Sequence, residues 1–257
     1  MIRILKISLF FLFVAAVLIL MGFIHRENGN RMLKGTIVRI DRETEKGFLN
    51  DSTLKTMVER MDSVSRKKIK DIPLKHIERI IGSNAYVEQA DAFVNLDRNL
   101  IINVREKTPL FRVFPRNNSS YYVSASGYMF PVSEKYTARV PVVNGYLDMV
   151  YDNDHPYIFD TAYKTNTLRE IYRLIGLIDE SNFLRAQISQ VYVNSKGEFD
   201  LIPQVGDHII RMGTIDRAAE KLANLEIWYK KAMLMEDLNK YEIVNIKYKN
   251  QIVCTQK

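Results

Sequence analysis

Four histidines, one cysteine and one acidic loop are the groups in this sequence best placed to do chemistry. The loop is the densest of them. Asp152, Asp154, His155 and Asp160 fall close together, and oxygen ligands at alternating positions are what a calcium ion takes. The glycine and the distal glutamate that complete a calcium loop are missing, so an ordinary acidic loop is the expectation. His25, His76, His155 and His208 show no metal-binding spacing with one another or with cysteine. Neither a Gly-x-Ser-x-Gly elbow nor a Walker loop occurs. Cys254 has no second cysteine to pair with inside the chain. Asn50, Asn117 and Asn118 open Asn-x-Ser triplets, which arise often by chance. These residues give no reason to expect catalysis, a metal or a cofactor.

The chain must instead be read through the elements that would position a binding surface. It has 257 residues, 47% of them hydrophobic, with a formal charge of +7. That composition builds a folded core, and the length allows one large or two small domains. With no disulfide available, the core alone must hold each domain together. Surplus positive charge favours nucleic acid or anionic lipid headgroups in general. For a chain held outside the cytoplasm, nucleic acid is excluded and a solvated basic surface is the expectation.

Ile7 to Ile24 reads ISLFFLFVAAVLILMGFI, without a charge. A bilayer core needs about 20 apolar residues as helix, so an N-terminal transmembrane helix is predicted over residues 7–25. Arg3 and Lys6 precede it, which leaves residues 1–6 as a cytoplasmic tail and everything after the helix outside. A cleaved signal peptide fits less well: the run is long and ends in Met-Gly-Phe-Ile-His, a poor cleavage site.

Beyond a polar linker, Gly35 to Asp41 reads as a β-branched strand. Asn50, Asp51 and Ser52 start a helix with an apolar stripe of Leu54, Met57, Val58 and Met61. Arg66 to Lys70 is a basic connector, and a second helix begins near Pro73 with Leu74, Ile77 and Ile81 on one face. Ala90, Ala92, Val94 and Leu96 alternate with polar residues, Asp97, Arg98 and Asn99 turn the chain, and Leu100, Ile102 and Val104 return. The order β-α-α-β-β over residues 33–108 is that of a POTRA domain, and Pro109 ends it. Residues 109–257 read as a β-rich α+β domain. Its helices carry Leu168, Ile171, Tyr172, Ile175 and Ile178, then Ala218, Leu222, Leu225 and Tyr229. Ile243 to Val253 is expected to be a single last strand.

Several strings resemble the FtsQ (DivIB) family of bacterial cell-division proteins, in a flavour similar to its Bacteroidetes members. INVREKTPLFRV (Ile102 to Val113) resembles the family's strand-Glu-x-x-Pro junction. YYVSASGYMFPVS (Tyr121 to Ser133) is similar to its Tyr-Val-Asp-x-x-Gly-x-x-Phe hairpin, and ARVPVVNG (Ala138 to Gly145) to the segment that follows. EKLANLEIWY (Glu220 to Tyr229) resembles the penultimate helix, and VNIKY (Val244 to Tyr248) the closing strand. Ser124 and Asn245 stand where the family often has Asp; both read as solvent-facing variation.

The resemblance implies a non-catalytic bitopic scaffold of the bacterial inner membrane at the division septum. Its implied partners are the small coiled-coil proteins FtsB and FtsL (DivIC-like) and the septal synthase complex FtsW–FtsI, with lipid contacted through the N-terminal helix. The terminal strand would take a partner segment by β-augmentation. By matching position, Lys247 and Tyr248 would be in that strand beside Ile246, with Trp228 and Lys231 on the neighbouring helix. Another membrane-anchored POTRA-type assembly or secretion protein, and a periplasmic hydrolase, are the alternatives.

Overall fold

The computed structural model describes residues 12–19, 29–42, 44–61, 67–116, 119–161, 163, 167–235 and 238–257. Residues 12–19 are helical (α1). No helix among the described residues is long and apolar enough to cross a membrane, which corrects the transmembrane helix expected over 7–25. The eight described residues of α1, at about 1.5 Å each, cover less than half of a bilayer core of roughly 30 Å. The remainder of that expectation, His25, Arg66, Asn117 and Asn118 lie outside the described residues. The chain divides into two units, residues 1–106 and 107–257. The α+β class is as expected.

The first unit carries β1 (Gly35–Asp41), α2 (Asp51–Glu59), α3 (Leu74–Gly82), β2 (Val87–Val94) and β3 (Asn99–Glu106). Its three strands run in the order β1-β3-β2, with β1 parallel to β3 and β2 antiparallel to it. A parallel pair needs a crossover connection, and α2 and α3 lie within the segment that provides it. Asn50 caps α2 by accepting from the Ser52 amide at 2.9 Å. The core gathers Leu54, Val58, Ile77, Ile81, Leu100, Ile102 and Val104. Met57 stays 38% exposed, so the true stripe of α2 is narrower than its apolar residues suggest. Leu96 is fully exposed because the turn begins at Asn95, where that residue's side chain takes the Asn99 amide.

Glu106 ends β3 with its carboxylate turned inward. It accepts the amides of Phe48 at 2.7 Å and Leu49 at 3.1 Å, and is itself only 7% exposed. A Cβ on Gly47 would collide with the same carboxylate. The loop before α2 is thereby fixed to the end of the central strand.

The second unit is one mixed sheet of nine strands in the order β12-β11-β10-β9-β8-β7-β4-β5-β6. In chain order these are β4 (Pro109–Val113), β5 (Tyr121–Ser124), β6 (Met129–Pro131), β7 (Val142–Gly145), β8 (Ile188–Val193), β9 (Phe199–Pro203), β10 (Ile209–Gly213), β11 (Tyr241–Asn245) and β12 (Val253–Gln256). Helices α4 (Thr167–Asp179), α5 (Asn182–Gln187) and α6 (Ala218–Met235) supply the apolar cover. The expected α6 stripe of Ala218, Leu222, Leu225 and Tyr229 is buried throughout. Leu168, Ile171, Ile175 and Ile178 of α4 are buried as well. Strand residues that face these helices include Phe111, Val143, Val191, Leu201, Ile210 and Val244.

The expected single last strand is not what forms. Ile243 to Val253 is divided: β11 stops at Asn245, a turn with Asn250 at φ +57° follows, and β12 returns antiparallel to β11. The cause is local turn chemistry. The Asn245 side chain accepts the Lys247 amide at 3.1 Å, and short amide side chains bonded two residues on make turns rather than strands.

Candidate functional site

Edges decide what a sheet can bind, because an edge strand turns one side of its backbone away from the sheet. The two edges of this sheet differ. At β6, the stretch after His155 closes the strand: the Met129 amide donates to the Pro156 carbonyl at 2.6 Å and the Ile158 amide to Gly127 at 3.0 Å. Tyr128 and Tyr157 form the intervening bridge. At the other end β12 pairs with β11 and stands last, with Val253, Thr255 and Gln256 exposed.

Beside that open edge lies an apolar strip on the face away from the helices. Ile209 of β10 stands opposite Ile243 of β11, and the antiparallel register sets Ile202 of β9 next to Ile209. Ile209 is 42% exposed. The neighbouring row is polar, with Asp200, Arg211 and Asn245 in register. Burial pushes the Asp200 carboxyl above its usual range, opposed by Arg211.

The residues expected to bind a partner fall in unlike places. Ile246, expected to contact a partner, is buried in the core and offers no surface for it. Lys247 and Tyr248 sit in the β11–β12 connection, not in a strand. The Lys247 ammonium pairs with Glu198 at 2.7 Å, and its carbonyl accepts from Arg217 at 3.2 Å. Its stem packs where a Cβ on Gly213 would sit. Glu198 is held below the usual carboxylate range, first by Lys247 and then by Asn194. Tyr248 is 51% exposed at the hairpin tip. Lys231 is exposed on α6, and Trp228 is half-buried, its indole edge-on to Tyr241, Tyr229 and His208. Tyr248 and Lys231 thus present side chains, while Trp228 and Lys247 brace the elements behind them.

Two buried polar groups support the same end of the sheet and were not foreseen. His208 is 1% exposed; its Nε2 lies 2.7 Å from the Tyr229 hydroxyl and its Nδ1 has no partner among the described residues. Burial depresses its pKa despite Asp207, and burial pushes Tyr229 up to about 12. Lys221 of α6 donates to the carbonyls of Met212 at 3.1 Å and Thr214 at 2.9 Å. A lone histidine and a lysine in a helix carry no sequence signal of this kind.

Of the two positions expected to face solvent, Asn245 is half-buried on the face away from the helices and Ser124 does not face solvent. Ser124 is fully buried, its hydroxyl accepting the Tyr128 amide at 3.0 Å. Each makes a turn contact that an aspartate could also make. The acidic loop forms no metal cluster among the described residues. Asp152 instead accepts the amides of Asp154 at 2.9 Å and His155 at 3.3 Å.

The second unit is thus a mixed sheet flanked by helices, bonded at Met129 along one edge and ending in β12 at the other. A family model described as FtsQ/DivIB, C-terminal related, matches residues 108–255, more than half of the chain. The chain belongs to the FtsQ/DivIB family of cell-division proteins. No curated protein matches the sequence.

Proposed function

We propose that the chain is a non-catalytic scaffold of the cell-division machinery. It captures an extended segment of a small coiled-coil division protein, of the FtsB, FtsL or DivIC kind, by β-augmentation on β12. The observation that carries this reading is the asymmetry of the sheet: residues 156–158 close β6, and β12 is left as the terminal strand. An added strand would gain main-chain hydrogen bonds along β12. The chain flanking it would pass over Ile202, Ile209 and Ile243, where apolar anchors can be desolvated. Tyr248 at the hairpin tip and Lys231 on α6 would add side-chain contacts at the rim. Residues 33–108 would form a POTRA module, and the scaffold as a whole would link its partner to the septal synthase complex FtsW–FtsI.

Gln256→Pro tests it. The Lys257 amide is taken by the Lys240 carbonyl, so strand alternation turns the Gln256 amide to the free edge, and proline there removes that donor without breaking the pairing with β11. With folding checked by Trp228 fluorescence, the variant should lose the coiled-coil partner in a pull-down of co-expressed proteins. Tyr248→Ala should weaken retention without abolishing it. A folded Gln256→Pro chain that retains the partner fully would contradict the proposal.

A further inference from the structure

The first unit brings together two basic segments that lie more than thirty residues apart in sequence. The Leu33 amide donates to the Lys67 carbonyl at 3.3 Å and the Ile69 amide to the Arg31 carbonyl at 3.0 Å, with Met32 and Lys68 as the bridged pair between them. The Lys34 amide in turn donates to the Arg98 carbonyl at 2.8 Å. Arg31, Lys34, Lys67, Lys68, Lys70 and Arg98 are thereby collected on adjoining backbone. Arg31, Lys34, Lys68 and Lys70 are exposed. Among the described residues of this unit, the ion pairs Arg42 with Asp51 and Lys55 with Glu59 involve none of the six. Asp71 and Asp97 are the acidic residues next to them in sequence. Met32, paired with Lys68, leaves 46% of its surface exposed in the middle of the cluster.

We infer that this patch docks on the headgroups of an anionic phospholipid surface. A group of four to eight lysines and arginines gains roughly a fivefold partition per cation within a Debye length of such a surface. Two features favour a bilayer over a soluble polyanion. An exposed apolar side chain in the centre of a cation cluster suits a surface with acyl chains behind its phosphates. The patch also follows α1 by only about a dozen residues, and α1 exposes Leu12, Phe13, Leu18 and Ile19. A nucleic-acid site would instead place aromatic rings among the cations for base stacking. Arg31 to Lys34 and Lys67 to Lys70 contain none.

The test compares the full chain on phosphatidylcholine vesicles and on vesicles with roughly a quarter phosphatidylglycerol, by flotation. The ratio of the two partition constants isolates the charge-dependent part from any apolar insertion. The Lys34→Gln, Lys68→Gln, Lys70→Gln chain should lower that ratio by about a hundredfold and flatten its salt dependence. A charge-matched control, Lys135→Gln, Arg139→Gln, Lys196→Gln, should leave it within about twofold. An equal fall in both variants would overturn the inference, since net charge would then suffice. So would an unchanged ratio in the first variant, or tighter binding to a single-stranded oligonucleotide at equal phosphate concentration.

Discussion

Replacing Glu106 with alanine tests whether the end of β3 anchors the loop before α2. The carboxylate accepts two amides, at 2.7 and 3.1 Å, from Phe48 and Leu49, which are 8% and 6% exposed. Bonds to a charged acceptor contribute about 1.5–3 kcal/mol each, and amides stranded in so dry a place lose most of that. Water entering the vacated volume restores part, so Glu106→Ala should cost about 3 kcal/mol. Glu106→Gln keeps one acceptor oxygen but turns an amide against the second N–H, and should cost about half as much. Gly47→Ala attacks the same contact from the other side, because its Cβ would collide with the Glu106 carboxylate. The two changes act on one interaction, so the double variant should be less destabilised than the sum of the singles. Urea unfolding followed by circular dichroism gives the energies, and amide exchange at Phe48 and Leu49 locates them. A cost below about 0.5 kcal/mol for Glu106→Ala, or strict additivity with Gly47→Ala, would refute the reasoning.

Two further predictions concern the second unit. His208 is held neutral by burial, its folded pKa depressed below the usual histidine value near 6.5. The unfolded chain therefore takes up a proton first as pH falls, and stability is present above about pH 6.5 and lost below it. Thermal unfolding between neutral pH and pH 5 should show that loss, and His208→Phe should flatten it; an equal slope in both chains would assign the effect elsewhere. Lys247→Met should let the Glu198 carboxyl titrate nearer its ordinary range, since Lys247 is the first cause of its depression. Carboxyl-carbon NMR titration reads this directly, and an unmoved Glu198 would show that Asn194 and solvent suffice.

Much of this fold was legible in the sequence, for identifiable reasons. The α4 and α6 stripes were readable because burial on one helix face leaves a three-to-four residue spacing that nothing else produces. The strand Gly35–Asp41 was readable from its β-branched residues. The last strand was misread because Ile246 continues the apolar alternation into a turn: the Asn245 bond to Lys247 breaks the strand, and no periodicity records a side chain bonding two residues ahead. The helix α5 escaped notice for another reason. Its six residues are too few for a stripe, and the Ser181 cap that accepts the Leu184 amide is a weak signal alone. The candidate site shares this split. Tyr248 was singled out by residue type and stands exposed at the hairpin tip, whereas the place of β12 as terminal strand is a property of strand order, which only pairing across distant segments determines. The basic connector around Lys67 to Lys70 likewise looked bland until the fold set it beside Arg31 and Lys34.

The measurement that tests the central claim most directly is amide hydrogen exchange of the full chain with and without its coiled-coil division partner. β-Augmentation predicts slowed exchange at amides of Val253 to Gln256, with β6 and the 156–158 stretch unchanged. Protection confined to other strands or helices, with β12 exchanging as before, would contradict it.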